Sequence, residues 1–361
     1  VTRQVFVTGM LRSGTTLTQV LLTNHPQAWV AYQPFHQLYV DAKQRYLDEC
    51  GLAISPPLDD GAPGSPDPER FVAWLEGHRF DEADAKALAR RATGGKGGSM
   101  ARIADRLSAR PGTFAELRES LHASMARCLG LPSRDAMGSK EILCEEFLPA
   151  LVAAGVRCVI VVRDPRAVIA SANHGRYRDS VGDRYPLLML VRLWRKSAAY
   201  WLRLRGHPLV RAIRYEDLVD STDAVLADLA QWLEIDAFPP GMGNAPLRDH
   251  DGEPWQGNSS FVDSAGVQRE STERWRDLLD APEARFIEAC TYRERALLGY
   301  PAAETPDGRD ILGFAENEAG VRPAYLARHA LTHDARLAES LRLDAALAAC
   351  THSRYPHVEP S

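Results

Sequence analysis

The sequence predicts an α/β fold, with a central parallel sheet flanked by helices. Two patterns carry the prediction. Short runs rich in β-branched and aromatic residues alternate with stretches of helical periodicity, the order that builds a parallel sheet covered on both faces. One of those runs, residues 156–162 (VRCVIVV), is almost unbroken in apolar side chains, as strands buried on both sides are.

Taken in order, residues 3–8 (RQVFVT) read as a short buried strand ending at Gly9. Residues 15–24 follow as a helix, with Leu17, Val20, Leu21 and Leu22 on its apolar face and His25-Pro26 stopping it. Residues 28–32 make a second strand. Residues 51–69, rich in Pro, Gly and Asp, read as a long surface loop or lid. Residues 93–99 (TGGKGGS) read as a flexible connection between helical stretches at 69–92 and 113–130. A short strand is expected over 138–144 (GSKEILC), then the strand 156–162, then a helix announced by Asp164-Pro165 as cap and first-turn proline. A long helix over 184–205, a strand over 210–215 and a helix from Glu216-Asp217 complete the pattern. Residues 1–303 are expected to form the main domain, with 51–130 as lid and acceptor region. Residues 304–361 form a helical extension in this reading.

Bulk properties bound the function. The chain of 361 residues is 45% hydrophobic and 25% charged, an ordinary globular make-up. A net charge of −5 provides no overall basic field for nucleic acid, so any anion site must be a local cluster of cations. Only five lysines stand against 38 arginines, which makes a lysine in a suggestive place more noticeable. The six cysteines are scattered without metal-ligand spacing, so no metal is expected and a cytoplasmic setting is the simplest reading. No run of about 18 apolar residues exists to span a membrane. Oligomeric state is not legible.

Between the first strand and the first helix lies Gly9-Met10-Leu11-Arg12-Ser13-Gly14-Thr15-Thr16. This is the frame of the phosphate loop G-x-x-x-x-G-K-[ST], with Thr15 in the lysine position, and it makes the expected architecture a P-loop-type three-layer fold. In such a frame successive backbone N–H groups curl around an anion, and the helix points its positive end there. Losing the lysine that reaches the β- and γ-phosphates turns the loop away from a nucleoside triphosphate. A cation returns at Arg12, on the outer turn.

Arg12-Ser13-Gly14-Thr15-Thr16-Leu17 resembles the 5′-phosphosulfate loop of sulfotransferases that use 3′-phosphoadenosine 5′-phosphosulfate (PAPS). The likeness is greatest to bacterial members and to the Golgi tyrosylprotein type, which carry arginine at this point. It extends over residues 3–300 and implies PAPS as co-substrate, held in part by Arg12, Ser13, Gly14, Thr15, Thr16 and Leu17. Arg163-Asp164-Pro165, with Ser171 eight residues after Arg163, resembles the family's 3′-phosphate motif. A cation and a hydroxyl so placed bracket a phosphate by charge-assisted hydrogen bonds. Tyr215, in Arg214-Tyr215-Glu216-Asp217, would lie beside the adenine. Ser259 or Ser260 and Arg274 would contact the 3′-phosphate end by the same resemblance.

Sulfuryl transfer, like phosphoryl transfer, depends on positioning and on cations that absorb charge. Arg12 is one such cation. Lys140 is the second, in the position from which family members reach the bridging oxygen. The tyrosylprotein type places a glutamate base where this chain has Gln33, and an amide cannot take the proton. His36 is the preferred base, since an imidazole titrates near neutral pH; Glu141 and His174 are alternatives. The expected reaction transfers the sulfuryl group to a hydroxyl or amine of a small-molecule or natural-product acceptor. A P-loop small-molecule kinase and a non-catalytic nucleotide-binding protein remain the rival readings.

Overall fold

The computed structural model describes residues 2–61, 64–257, 266–300 and 304–352. Arg3–Thr8 (β1), Ala28–Tyr32 (β2), Ala136–Lys140 (β3), Arg157–Val162 (β4) and Val210–Arg214 (β5) form one sheet. All pairings are parallel, in the order β2-β3-β1-β4-β5, with helices on both faces. This is the expected three-layer α/β architecture.

The apolar runs follow from that burial. Side chains alternate across a strand, so Phe6, Cys158 and Ile160 enter one core while Val5, Val7, Val159 and Val161 enter the other. Fully burying each such aliphatic or aromatic side chain contributes about 1.5–3 kcal/mol, which favours apolar residues on both faces of an interior strand.

Helix boundaries are set by local chemistry. Asp164 accepts from the Arg166 N–H at 2.9 Å and caps the helix Pro165–Asn173, as expected. Thr113 and Glu116 form a capping box at the start of Phe114–Leu129, and Gly130 ends that helix in the left-handed region. The expected helical stretch at 69–92 is two helices, Pro68–Gly77 and Glu82–Arg91, capped by Asp67 and Asp81.

Two expectations are corrected. The strand read over 138–144 lies over Ala136–Lys140. Beyond Lys140 the chain still follows β1, through the Glu141 N–H to Val7 O and the Leu143 N–H to Gly9 O. It loses β2, which turns away at Gln33 with φ 43°, and Leu143 itself takes φ 58°. A strand needs a partner, and here one side runs out. The stretch at 51–69 is not wholly a surface loop, because Asp59 and Asp60 are buried. Asp60 accepts from Lys43 Nζ at 2.5 Å and Lys196 Nζ at 2.6 Å, and Glu146 accepts from the same two lysines at 2.5 and 2.8 Å. Two cations shared between two carboxylates balance the desolvation that either charge would suffer alone. Asp59 pairs with Arg328 and His329. Ile311, Phe314 and Leu343 from beyond residue 303 join the core under the sheet. No helix among the described residues is long and apolar enough to cross a membrane.

Candidate active site

Every strand of the sheet ends on the same edge, where α/β folds bind ligands. The loop 9–16 leaves the end of β1, the central strand, and enters the helix Thr15–Thr23 through Gly14 at φ 98°. Arg12 holds φ 64°, a conformation costly for a side chain with a Cβ. Of the four described non-glycine residues with positive φ, Arg12, Gln33 and Leu143 stand just past the ends of β1, β2 and β3. Strain concentrated in one place points to a functional site.

Gly14 has no alternative. A Cβ there would lie 2.2 Å from Cδ2 of Tyr215. Left-handed strain and a ring collision add, so Gly14→Ala is expected to destabilise the fold by about 1–3 kcal/mol, to be read as a lowered midpoint of thermal or urea unfolding.

The two halves expected of a nucleotide site meet here. Arg12 Nε donates to Ser171 Oγ at 3.0 Å. Arg163, at the end of β4, donates to Arg12 O at 3.2 Å and to Ser271 O, and its guanidinium lies 4.4 Å from the Tyr215 ring centroid. The Tyr215 hydroxyl is 2.8 Å from Ser271 Oγ. Arg163 Nε is buried without a hydrogen-bond partner among the described residues. Burial, and then the neighbouring Arg163 charge, lower the Arg12 pKa to about 10. Two arginines pressed together with a spare donor make a pocket short of negative charge. Arg12, Arg163 and the backbone of the helix start would hold the phosphates of PAPS there, and the residues fit that group.

The second cluster lies past β2 and β3. Lys140 Nζ is 3.3 Å from Gln33 Oε1 and 4.3 Å from the Tyr32 ring centroid. The side chain is almost fully buried, and desolvation outweighs the attraction of Glu141, bringing its pKa down to about 7. Glu141 Oε1 accepts from the Phe35 N–H at 3.0 Å, while Oε2 has no hydrogen-bond partner among the described residues. Burial pushes the Glu141 carboxyl up to about 8. His36, the first residue of the helix His36–Glu49, brings Nδ1 to 3.9 Å from Glu141 Oε2. Burial, followed by repulsion from Lys96, Lys140 and Lys196, lowers its pKa to about 4, so the ring is neutral.

Several expected residues take other places. His174 faces Glu283 at 3.6 Å, outside this cluster. Arg274 is half-buried at the start of Trp275–Leu278, on the segment that carries Ser271. Ser259 and Ser260 lie outside the described residues. Sequence reasoning missed Tyr32, Tyr177, Ser271 and Lys96. Tyr177 receives the Arg12 guanidinium at 5.3 Å from its ring centroid, and no motif announces it. Lys96 did leave a signal, as the one lysine in a glycine-rich loop.

A sheet of this order, with an anion loop after its central strand and cations gathered on one edge, defines a nucleotide-dependent group-transfer protein. Residues 2–295 match the sulfotransferase domain family. The chain belongs to the sulfotransferase family, whose members draw the sulfuryl group from PAPS. Among solved structures it is similar to the sulfotransferase domain from the curacin biosynthetic pathway, at 18% identity and TM-score 0.46, covering 83% of this chain and 99% of that one. It is also similar to the sulfotransferase domain of the Synechococcus olefin synthase, at 18% identity and TM-score 0.47, covering 83% and 96%. Retinol dehydratase in complex with retinol and PAP is similar at 15% identity and TM-score 0.37, covering 81% of each chain. No curated protein sequence matches the chain.

Proposed function

We propose that this sulfotransferase acts on a hydroxyl or amine of a small-molecule or natural-product acceptor, with Arg12 and Lys140 as its charge-absorbing cations. The observation that carries the reading is the Arg163 bridge, which ties the 5′ loop at Arg12 to the Tyr215 and Ser271 side of the site. A nucleotide phosphorylated at both ends needs two anion sites held at a fixed separation, and one guanidinium bonded to both segments fixes it.

When bound, PAPS supplies an electrophilic sulfur whose bond to the phosphate oxygen breaks as the acceptor atom attacks. Arg12 would hold the sulfonate and 5′-phosphate oxygens, and Lys140 would neutralise the oxygen that leaves. Arg163, Ser171, Ser259, Ser260 and Arg274 would secure the 3′-phosphate, with Tyr215 at the nucleobase. His36 would take the acceptor's proton on Nε2. Glu141, whose carboxyl burial pushes up to about 8, lies behind Nδ1 at 3.9 Å and would orient the ring. A cavity of about 190 Å³ lies beside Thr16 and Tyr32, lined also by His250 and Trp255.

Calorimetry tests the nucleotide. Tight binding of 3′-phosphoadenosine 5′-phosphate (PAP) with no binding of ATP and Mg²⁺ is expected, and tight ATP binding without PAP binding would return the chain to the kinase reading. His36→Ala tests the base. It is expected to lower turnover about 10²–10⁴-fold while PAP affinity holds, and unchanged turnover sinks the assignment.

A further inference from the structure

The loop at 93–99 has buried ends and a more exposed, glycine-rich tip. Thr93 and Ser99 are buried, while the four glycines between them flank Lys96, three of them in the left-handed region (Gly94, Gly95 and Gly98). The Lys96 N–H closes a turn on Thr93 O at 3.0 Å. A tether with glycine on both sides of one lysine moves that lysine without moving the anchors.

The lysine is aimed at the site. Its ammonium lies 6.0 Å from the Tyr32 ring centroid, the same ring that Lys140 approaches to 4.3 Å. Tyr32 in turn, its hydroxyl pKa raised by burial, lies in the field of Arg12 of the anion loop, which lowers it. Among the described residues, Lys96 makes no ion pair and no side-chain hydrogen bond. The charge it exerts falls on Lys140, Glu141 and His36 and lowers the pKa of each. Three cations thus lie around one tyrosine, and Glu141, whose carboxyl burial pushes up to about 8, keeps one oxygen without a hydrogen-bond partner among the described residues. Like charges gathered without a counter-ion repel, and the arrangement is favourable only when an anion lies among them.

Resting on the reading of this site as the PAPS site, we infer that Lys96 is a third catalytic cation, carried on a glycine-hinged lid, that closes onto the sulfonate group shared with Arg12 and Lys140. Its target is the sulfonate and not the nucleotide's phosphates, because Arg163 and Ser171 serve the far side of Arg12 while Lys96 faces Tyr32 and Lys140. Closing the lid would also shield the transferring group from water and so favour the acceptor over hydrolysis.

PAP and PAPS differ by the sulfonate, which makes their affinity ratio the readout. Calorimetric titration of the whole chain is expected to show Lys96→Gln weakening PAPS about tenfold and PAP less than about twofold, with Lys96→Arg restoring most of the PAPS affinity. Equal weakening of both nucleotides, or no change in either, overturns the inference. Arg12→Ala measured beside them separates the two levels of the argument. Loss of both PAP and PAPS binding in that variant upholds the site, and unchanged binding overturns the site and the lid cation together.

Discussion

Arg12→Ala is expected to lower kcat/KM about 10²–10³-fold or more, the largest loss among single changes in this site. Arg12 carries three duties at once. Its guanidinium is the cation of the loop, its Nε holds Ser171 at 3.0 Å, and its carbonyl receives Arg163 at 3.2 Å. The alanine variant keeps the carbonyl and loses the other two, so the loop survives while its charge does not. Arg12→Lys restores a cation without the planar fork that spans Ser171 and an anion together, and recovers only part of the rate. Steady-state kinetics with PAPS as the varied substrate checks both variants. A full rate in Arg12→Ala would remove the loop from the chemistry.

The second large effect belongs to Lys140. Lys140→Met is expected to lower kcat about 10²-fold or more with a smaller change in KM, the pattern of a cation that acts on charge appearing late in the reaction. Its pH signature has a definite sign. With its pKa down at about 7, Lys140 is half-neutral near pH 7 in the free protein. An anionic nucleotide favours the charged form and raises that pKa, so binding takes up a proton. Affinity for PAP is therefore expected to be greatest below pH 7 and to fall as pH rises through 7, by up to tenfold per unit, until the raised pKa of the complex is passed. Glu141 ionises at about 8 beside Lys140, and its new negative charge opposes an anion, so the fall continues through that range. Calorimetry at several pH values checks the slope, and in Lys140→Met the slope attributable to this group vanishes.

How far the sequence led depends on whether a feature is local. The unit of β1, the loop 9–16 and the helix Thr15–Thr23, and the Asp164-Pro165 cap, were legible because the residues that make them are neighbours in the chain. Residues 156–162 announced a central strand through composition alone. What stayed hidden depends on which strands lie side by side. The chain order β1 to β5 does not say that β3 sits between β1 and β2, and that adjacency sets Lys140 on Gln33 across 107 positions and Glu141 on the Phe35 N–H across 106. The end of β3 was misjudged for the same reason, since it depends on where β2 turns off. His36 was chosen for its chemistry, and its neighbour Glu141 was held only as an alternative. The two stand together, which the sequence could not express. Residues 51–69 read as surface because Pro, Gly and Asp are loop formers, whereas the burial of Asp59 and Asp60 depends on lysines, an arginine and a histidine supplied from distant helices.

The Arg163 guanidinium also marks a boundary between interchangeable parts. Its partners are Arg12, Tyr215 and Ser271, and none of them falls within 51–130. The contacts of Arg163 thus do not use 51–130, which is tied into the fold elsewhere, through Arg118 to Val5 O, His122 to Ser139 and Asp60 to Lys43 and Lys196. A lineage, or an engineer, could vary the exposed positions of 51–130 to change what is sulfated without rebuilding the apparatus that holds the donor, provided those buried ties and a cation facing Tyr32 are kept.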